Sequence, residues 1–163
     1  MSEEIAALWE KLRRDIAVKI EASGQAVQIV HLTATDPPGS RPFMYTIGNY
    51  HRGLPELLVV DTDAEFVAGI LNRLGTIQRD RGKAFADEEI VSVGGKYPLR
   101  IVDAGVIGRK RYATFVGIFY GTDNYEVRQV LLPDTQGRWP DTPGCDAPYR
   151  NQPVLSAIGR TRH

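Results

Sequence analysis

Residues 42–60 read Pro-Phe-Met-Tyr-Thr-Ile-Gly-Asn-Tyr-His-Arg-Gly-Leu-Pro-Glu-Leu-Leu-Val-Val. Two apolar runs, 43–49 and 56–61, flank a short polar bend. So short a link predicts two antiparallel strands joined as a hairpin. Gly48, Gly53 and Pro55 pin the bend. Asn49, His51, Arg52 and Glu56 fill it with hydrogen-bonding groups, the raw material of a binding site.

The flanking segments alternate in period. Ile5, Leu8, Leu12, Ile16 and Ile20 recur at three- and four-residue spacing, which predicts a helix over 3–22 with Trp9 widening its apolar stripe. Ser2 is placed to cap it, Glu3 and Glu4 suit its positive end, and Gly24 ends it. Residues 25–34 switch to strand character with Val27, Ile29, Val30 and Leu32. Asp36-Pro37-Pro38-Gly39 then marks a loop. Thr62 and Glu65 read as a capping box for a second helix that buries Phe66, Ile70, Leu74 and Ile77 and stops at Gly82.

Residues 89–93 suit a short edge strand, 99–104 a strand, and 125–132 a strand with Tyr125, Val127, Gln129 and Leu131 on one face. Residues 108–120 fit both states. Tyr112, Phe115, Val116 and Phe119 have helical spacing with Gly121 as terminator, while their β-branched and aromatic content suits a strand. The proline-rich last thirty residues predict irregular chain wrapping the surface. The expectation is an α+β fold: one domain over 1–163, with a mainly antiparallel central sheet of about five strands and two or three packed helices.

Bulk composition narrows the function classes. Among 163 residues, 20 basic and 20 acidic side chains cancel, which argues against a general attraction to nucleic acid or acidic membranes. There is no run of about 18 apolar residues, so no membrane span is expected. A single cysteine, Cys145, suits a reducing compartment. The acidic start, leading into an amphipathic pattern, is unlike a secretory signal. A cytoplasmic protein is expected.

Phe43-Met44-Tyr45-Thr46-Ile47-Gly48 followed by Gly53-Leu54-Pro55-Glu56-Leu57 resembles the bacterial family called domain of unknown function 4262. So do Gln129-Val130-Leu131-Leu132-Pro133-Asp134, Gly137-Arg138-Trp139-Pro140 and Gln152-Pro153-Val154-Leu155. Together these blocks span about residues 25–155. The resemblance implies a small α+β protein of bacteria and their phages, and no activity. The chain departs from the family pattern at Leu54, where the family usually has histidine, and at Leu132, where it often has tryptophan.

Two polar clusters are candidate sites. Glu56 beside His51 and Arg52 could stand at the mouth of a cleft, with Tyr45 on the adjoining strand. Gln129, Asp134, Arg138 and Trp139 make the second cluster, whose Asp134 and Trp139 could form the opposing wall, with Trp139 offering a flat face to a ring or a cation. The bland alternatives are a tight hairpin and an Asx turn at Asp134.

The expected function is a non-catalytic module binding a small ligand or a protein partner in that shared cleft. The alternative is an enzyme pairing Glu56 or Asp134 with His51 for acid–base work. A third reading is a homodimer formed through an edge strand or through helix 3–22.

Cys145 lies in a loop expected to be exposed, without a nucleophile motif around it. His31, His51 and His163 show no metal-ligand spacing, and His31 is expected half-buried in a strand. No phosphate-binding glycine loop, and so no nucleotide cofactor, is indicated. Gly105-Val106-Ile107-Gly108 before Arg109-Lys110-Arg111 reads as the basic first turn of a solvated helix.

Overall fold

The structure is a computed structural model that describes residues 2–160. Helix α1, Glu3–Ser23, is capped by the Ser2 side chain, which accepts from the Ile5 amide. It ends at Gly24 in the left-handed region. Strands β1 (Ala26–Val30), β2 (Phe43–Ile47) and β3 (Glu56–Val60) follow, then helix α2 (Glu65–Arg81) and strands β4 (Glu89–Val91) and β5 (Leu99–Asp103). Helix α3 (Gly105–Ile107) continues through a π-helical turn over Gly108–Tyr112, and α4 covers Thr114–Tyr120. Strand β6 (Val127–Leu131) and helix α5 (Leu155–Arg160) complete the described chain.

The six strands lie in the order β1-β2-β3-β6-β5-β4. The fold is α+β, with a mixed sheet that is antiparallel except where β6 lies parallel beside β3. A parallel pair needs a long crossover, and the chain from α2 through α4 provides it. One strand more than expected comes from β4 standing as a full edge partner of β5.

Alternation along the central strands sends side chains to two cores. On one face Tyr45, Ile47, Leu58 and Val127 meet Ile16 of α1, Phe115 and Val116 of α4, and Leu155 of α5. On the other, Met44, Leu57, Val59 and Val130 meet Val67, Leu71 and Leu74 of α2, with Phe85. β3 is buried at every position, as expected of a central strand covered on both faces. Each of these fully buried aliphatic side chains contributes roughly 1.5–3 kcal/mol.

Several expectations need correction. The second helix begins at Glu65, not at Thr62. Ala64 precedes it without a side-chain cap, and the Thr62 hydroxyl instead accepts from the Ala64 amide. Its buried face is therefore Val67, Leu71, Leu74 and Gln78, and Phe66 is exposed. The α1 stripe is buried only where the helix lies over the sheet. Ile16 is covered, while Ile5 and Leu8 overhang into solvent. The ambiguous 108–120 segment is helical, starting earlier, at Gly105. Its apolar residues fill the first core from outside the sheet, so helical packing overrides their strand propensity. The C-terminal segment does form an element, α5, because Leu155 buries against that core.

Gly48 sits at φ 135, and a Cβ there would stand 2.7 Å from the Gly24 carbonyl oxygen and 2.9 Å from the Gln25 Cα. Gly53, at φ 74, has open space around it. Replacing Gly48 with alanine should therefore destabilise the protein by roughly 2–4 kcal/mol, from strain plus a backbone clash. Gly53→Ala should cost about 1 kcal/mol from backbone strain alone. Urea denaturation of the two variants checks the ranking.

Candidate functional site

The hairpin bend is built around a buried anion. Glu56 begins β3 and is completely inaccessible to solvent. Its carboxylate accepts from the Thr46 hydroxyl at 2.8 Å, the Gly48 amide at 3.1 Å, the Tyr50 amide at 3.0 Å and the Asn49 side-chain amide at 3.1 Å. The Asn49 backbone amide is shared by both oxygens. Successive amides of the bend thus form a concave nest around the carboxylate.

Burial pushes the Glu56 carboxyl above its ordinary range, and the bonds from Thr46, Tyr50, Gly48 and Asn49 oppose that rise. Every partner donates, so the geometry fits the ionised form. Compensating positive charge comes from Arg79 of α2, which donates to Gln25 at 2.8 Å and Asn49 at 2.9 Å. Gln25 in turn accepts from Asn49 and donates to the Leu71 carbonyl. The cluster ties α1, the hairpin and α2 together.

Asp134 has an equally complete set of partners. It accepts from the backbone amides of Gln136, Arg138 and Asp146 and from the Arg138 guanidinium, all at 2.8–2.9 Å. Desolvation opposes ionisation, but these bonds win and hold its carboxyl well below the usual carboxylate range. This is the Asx-turn arrangement, enlarged to organise the whole 134–146 segment.

The two clusters do not share a recess. Glu56 pairs with Val127 in the parallel β3–β6 register, so the bend lies beside the start of β6. Asp134 follows the end of β6, seven residues further on, roughly 20 Å away at strand rise. The shared cleft expected between 45–56 and 129–139 is therefore absent, because parallel pairing puts the Glu56 bend and the Asp134 corner at opposite ends of β3 and β6, even though Tyr45 and Gln129 both pair with Leu58.

Of the remaining expected residues, Tyr45 and Gln129 flank Leu58 in the sheet, and His51 and Arg52 lie in the bend beside Asn49. Tyr45 is buried in the first core, and its hydroxyl is pushed up to about 12, chiefly by burial. Gln129 is buried and anchors the C-terminal segment through the Pro153 carbonyl and the Leu155 amide. Trp139 is half-buried near the Asp134 corner, and Arg52 is exposed. His51 is exposed and hydrogen-bonded to the Tyr120 hydroxyl at 3.1 Å. Burial, then the charges of Arg52 and Arg79, lower its pKa.

Three further readings change. Cys145 is buried, and burial raises its thiol pKa, which disfavours the reactive thiolate. His31 lies past the end of β1, exposed, with Nδ1 3.0 Å from the Asp63 carboxylate. His163 lies outside the described residues. No helix among the described residues is long and apolar enough to cross a membrane.

A different part of the fold does form a cavity. It measures about 660 Å³ and lies where the 31–41 loop, the start of β2, the π-helical turn and α5 meet. Phe43, Tyr112, Leu155 and Ile158 give it an apolar floor, and Leu32, Pro37 and Pro38 an apolar rim. The Arg41 guanidinium, also at its wall, is engaged by Asp61 at 3.1 Å and by the Asn151 carbonyl at 2.6 Å. Arg111 also lines the cavity, and the described residues offer it no hydrogen-bond or ion-pair partner.

None of the seven expected site residues lines this cavity. The sequence carried two signals for it: the Asp36-Pro37-Pro38-Gly39 loop, read as punctuation, and the Arg109-Lys110-Arg111 run, read as a solvated face.

The family described as Domain of unknown function (DUF4262) matches residues 19–146, which spans the sheet and the Asp134 corner but not α5. No curated protein and no solved structure matches the chain.

Two measurements test the polar clusters. Glu56→Gln places an amide N–H against donors whichever way the side chain turns, so it should lose roughly 2–4 kcal/mol of stability in urea denaturation. Asp134 titrates lower in the folded state than in the unfolded chain. Its stabilisation is therefore fully present above about pH 4 and lost as pH falls through the folded value. Asp134→Asn should flatten the acid limb of the stability profile below about pH 4.

Proposed function

This chain belongs to the DUF4262 family, and we propose that it is a binding module whose ligand site is the cavity between the 31–41 loop, the π-helical turn and α5. The observation that carries the proposal is the cavity's construction. A volume of about 660 Å³ falls in the ordinary range for small-molecule sites, and an apolar floor with a few polar groups at the wall is their usual chemistry. A π-helical turn, Gly108–Tyr112, supplies part of the wall, and such turns recur at functional sites.

An acid–base enzyme built on Glu56 or Asp134 finds no support in the geometry. Both carboxylates are buried with their lone pairs engaged, so neither can reach a substrate proton. A homodimer is a second reading, favoured by the unpaired outer edge of β1 and by the exposed Ile5, Leu8 and Val18 of α1. The single cysteine fits a reducing cytoplasm.

The test is chemical-shift mapping of the 15N-labelled protein with four small probes: octan-1-ol, octanoate, phenol and phenyl phosphate. Saturable shifts should centre on Leu32, Ser40, Phe43, Tyr112 and Leu155 for at least one probe. Shifts confined to other regions, or none with any probe, would overturn the assignment. Native mass spectrometry of protein purified from its own host would identify a retained ligand and the subunit number together.

A further inference from the structure

We infer that the ligand of this cavity is an organic anion, with an apolar body on the Phe43–Tyr112–Leu155 floor and a carboxylate or phosphate on Arg111. The inference rests on the cavity being the binding site and adds the chemical class of its occupant.

Charge accounting around the cavity singles out Arg111. Besides Tyr112, four titratable side chains line it: His31, Asp36, Arg41 and Arg111. His31 is held by Asp63. Asp36 accepts from the Thr33 amide at 2.7 Å, so its carboxylate already serves the loop. Arg41 donates from one guanidinium nitrogen, Nη1, to both Asp61 and the Asn151 carbonyl, fixing the loop to β3's end and to the C-terminal segment. Arg111 alone of the four has no partner among the described residues. A guanidinium offers five N–H donors in a planar fork that matches a carboxylate or phosphate bidentately.

The local backbone explains how that cation comes to be there. The chain enters the turn at Gly108, where a Cβ would stand 2.5 Å from the Ala104 Cβ and 3.2 Å from the Val127 Cβ, so only glycine lets the turn press onto β6. The π-turn closes with the Ala113 amide donating to the Gly108 carbonyl. Tyr112 is thereby buried against Phe43, with ring centroids 5.0 Å apart, while its neighbour Arg111 lies at the exposed wall. Of the other two cations in the run, Arg109 donates to the Asp123 carbonyl and neither lines this cavity.

The same four probes, titrated by NMR against the wild type, Arg111→Leu and Arg111→Lys, decide the point. Octanoate should bind wild type at least about tenfold more tightly than octan-1-ol, or phenyl phosphate at least about tenfold more tightly than phenol. Which pair shows the preference identifies carboxylate or phosphate as the headgroup. Arg111→Leu should abolish the preference while leaving the neutral probes' affinity within about twofold, and Arg111→Lys should keep part of it.

Equal binding of anionic and neutral probes at the cavity would overturn the anion assignment and leave the binding-module reading standing. A preference that survives Arg111→Leu would overturn the role of Arg111. Absence of binding by every probe would remove both. The 1H–15N spectrum of Arg111→Leu reports that the exposed substitution leaves the fold intact.

Discussion

The fold is held at one end by a single buried charge. A carboxylate removed from water is unstable unless its hydration shell is replaced, and at Glu56 the replacement comes from a hydroxyl, a side-chain amide and the amides of three successive residues. These groups come from a bend of only a few residues, so the anion dictates the bend's shape. The Thr46 hydroxyl, donating to Glu56, accepts from the Leu57 and Asn49 nitrogens and is thereby fully used. The hairpin turn is thus specified by a side chain in the strand that leaves it.

That requirement spreads outward through packing. Arg79 balances the charge from α2, but it touches Gln25 and Asn49 rather than the carboxylate itself. Gln25 then needs the Leu71 carbonyl and the Asn72 side chain to satisfy its amide. Close approach is the condition for all of this, and Gly48 against the Gly24 carbonyl and Gly75 beneath the Gln25 side chain supply it. Helices on opposite faces of the sheet are coupled through one polar cluster at the strand ends. The two apolar cores give most of the stability, while the cluster fixes which loop meets which helix.

Local patterns in the sequence foretold much of the fold. The α1 caps, the hairpin, the loop at 35–41, the Gly82 stop and the helical spacing of 112–119 were all visible because each is set by neighbours within a few residues. What escaped was non-local. Nothing in Glu56 or Asp134 taken singly distinguishes a solvated acid from a buried one, since the difference lies in amides that folding brings together. The parallel register of β3 and β6 escaped too, because it depends on a crossover of nearly seventy residues. That register separates the Glu56 bend from the Asp134 corner, although both belong to polar clusters that look alike in the sequence. The cavity was hidden for the same reason. Its walls come from residues 30–43, 111–112 and 153–158, and only the sheet makes them neighbours.

The polar clusters and the cavity therefore differ in electrostatic character. At the hairpin end, and again at the Asp134 corner, every strong acceptor is consumed by the protein's own donors, and a group so satisfied has nothing to offer a ligand. At the cavity the balance is incomplete. His31, Asp36 and Arg41 there each have a partner, and the Arg111 guanidinium is left without one beside an apolar floor. The clusters with the most polar chemistry in the sequence are the ones that structure uses up. Capacity for binding is better judged by which donors remain unpaired beside a cavity after folding than by how many polar residues a segment contains, and by that measure Arg111 outranks Glu56, Gln129 and Asp134, whose polar atoms the fold consumes.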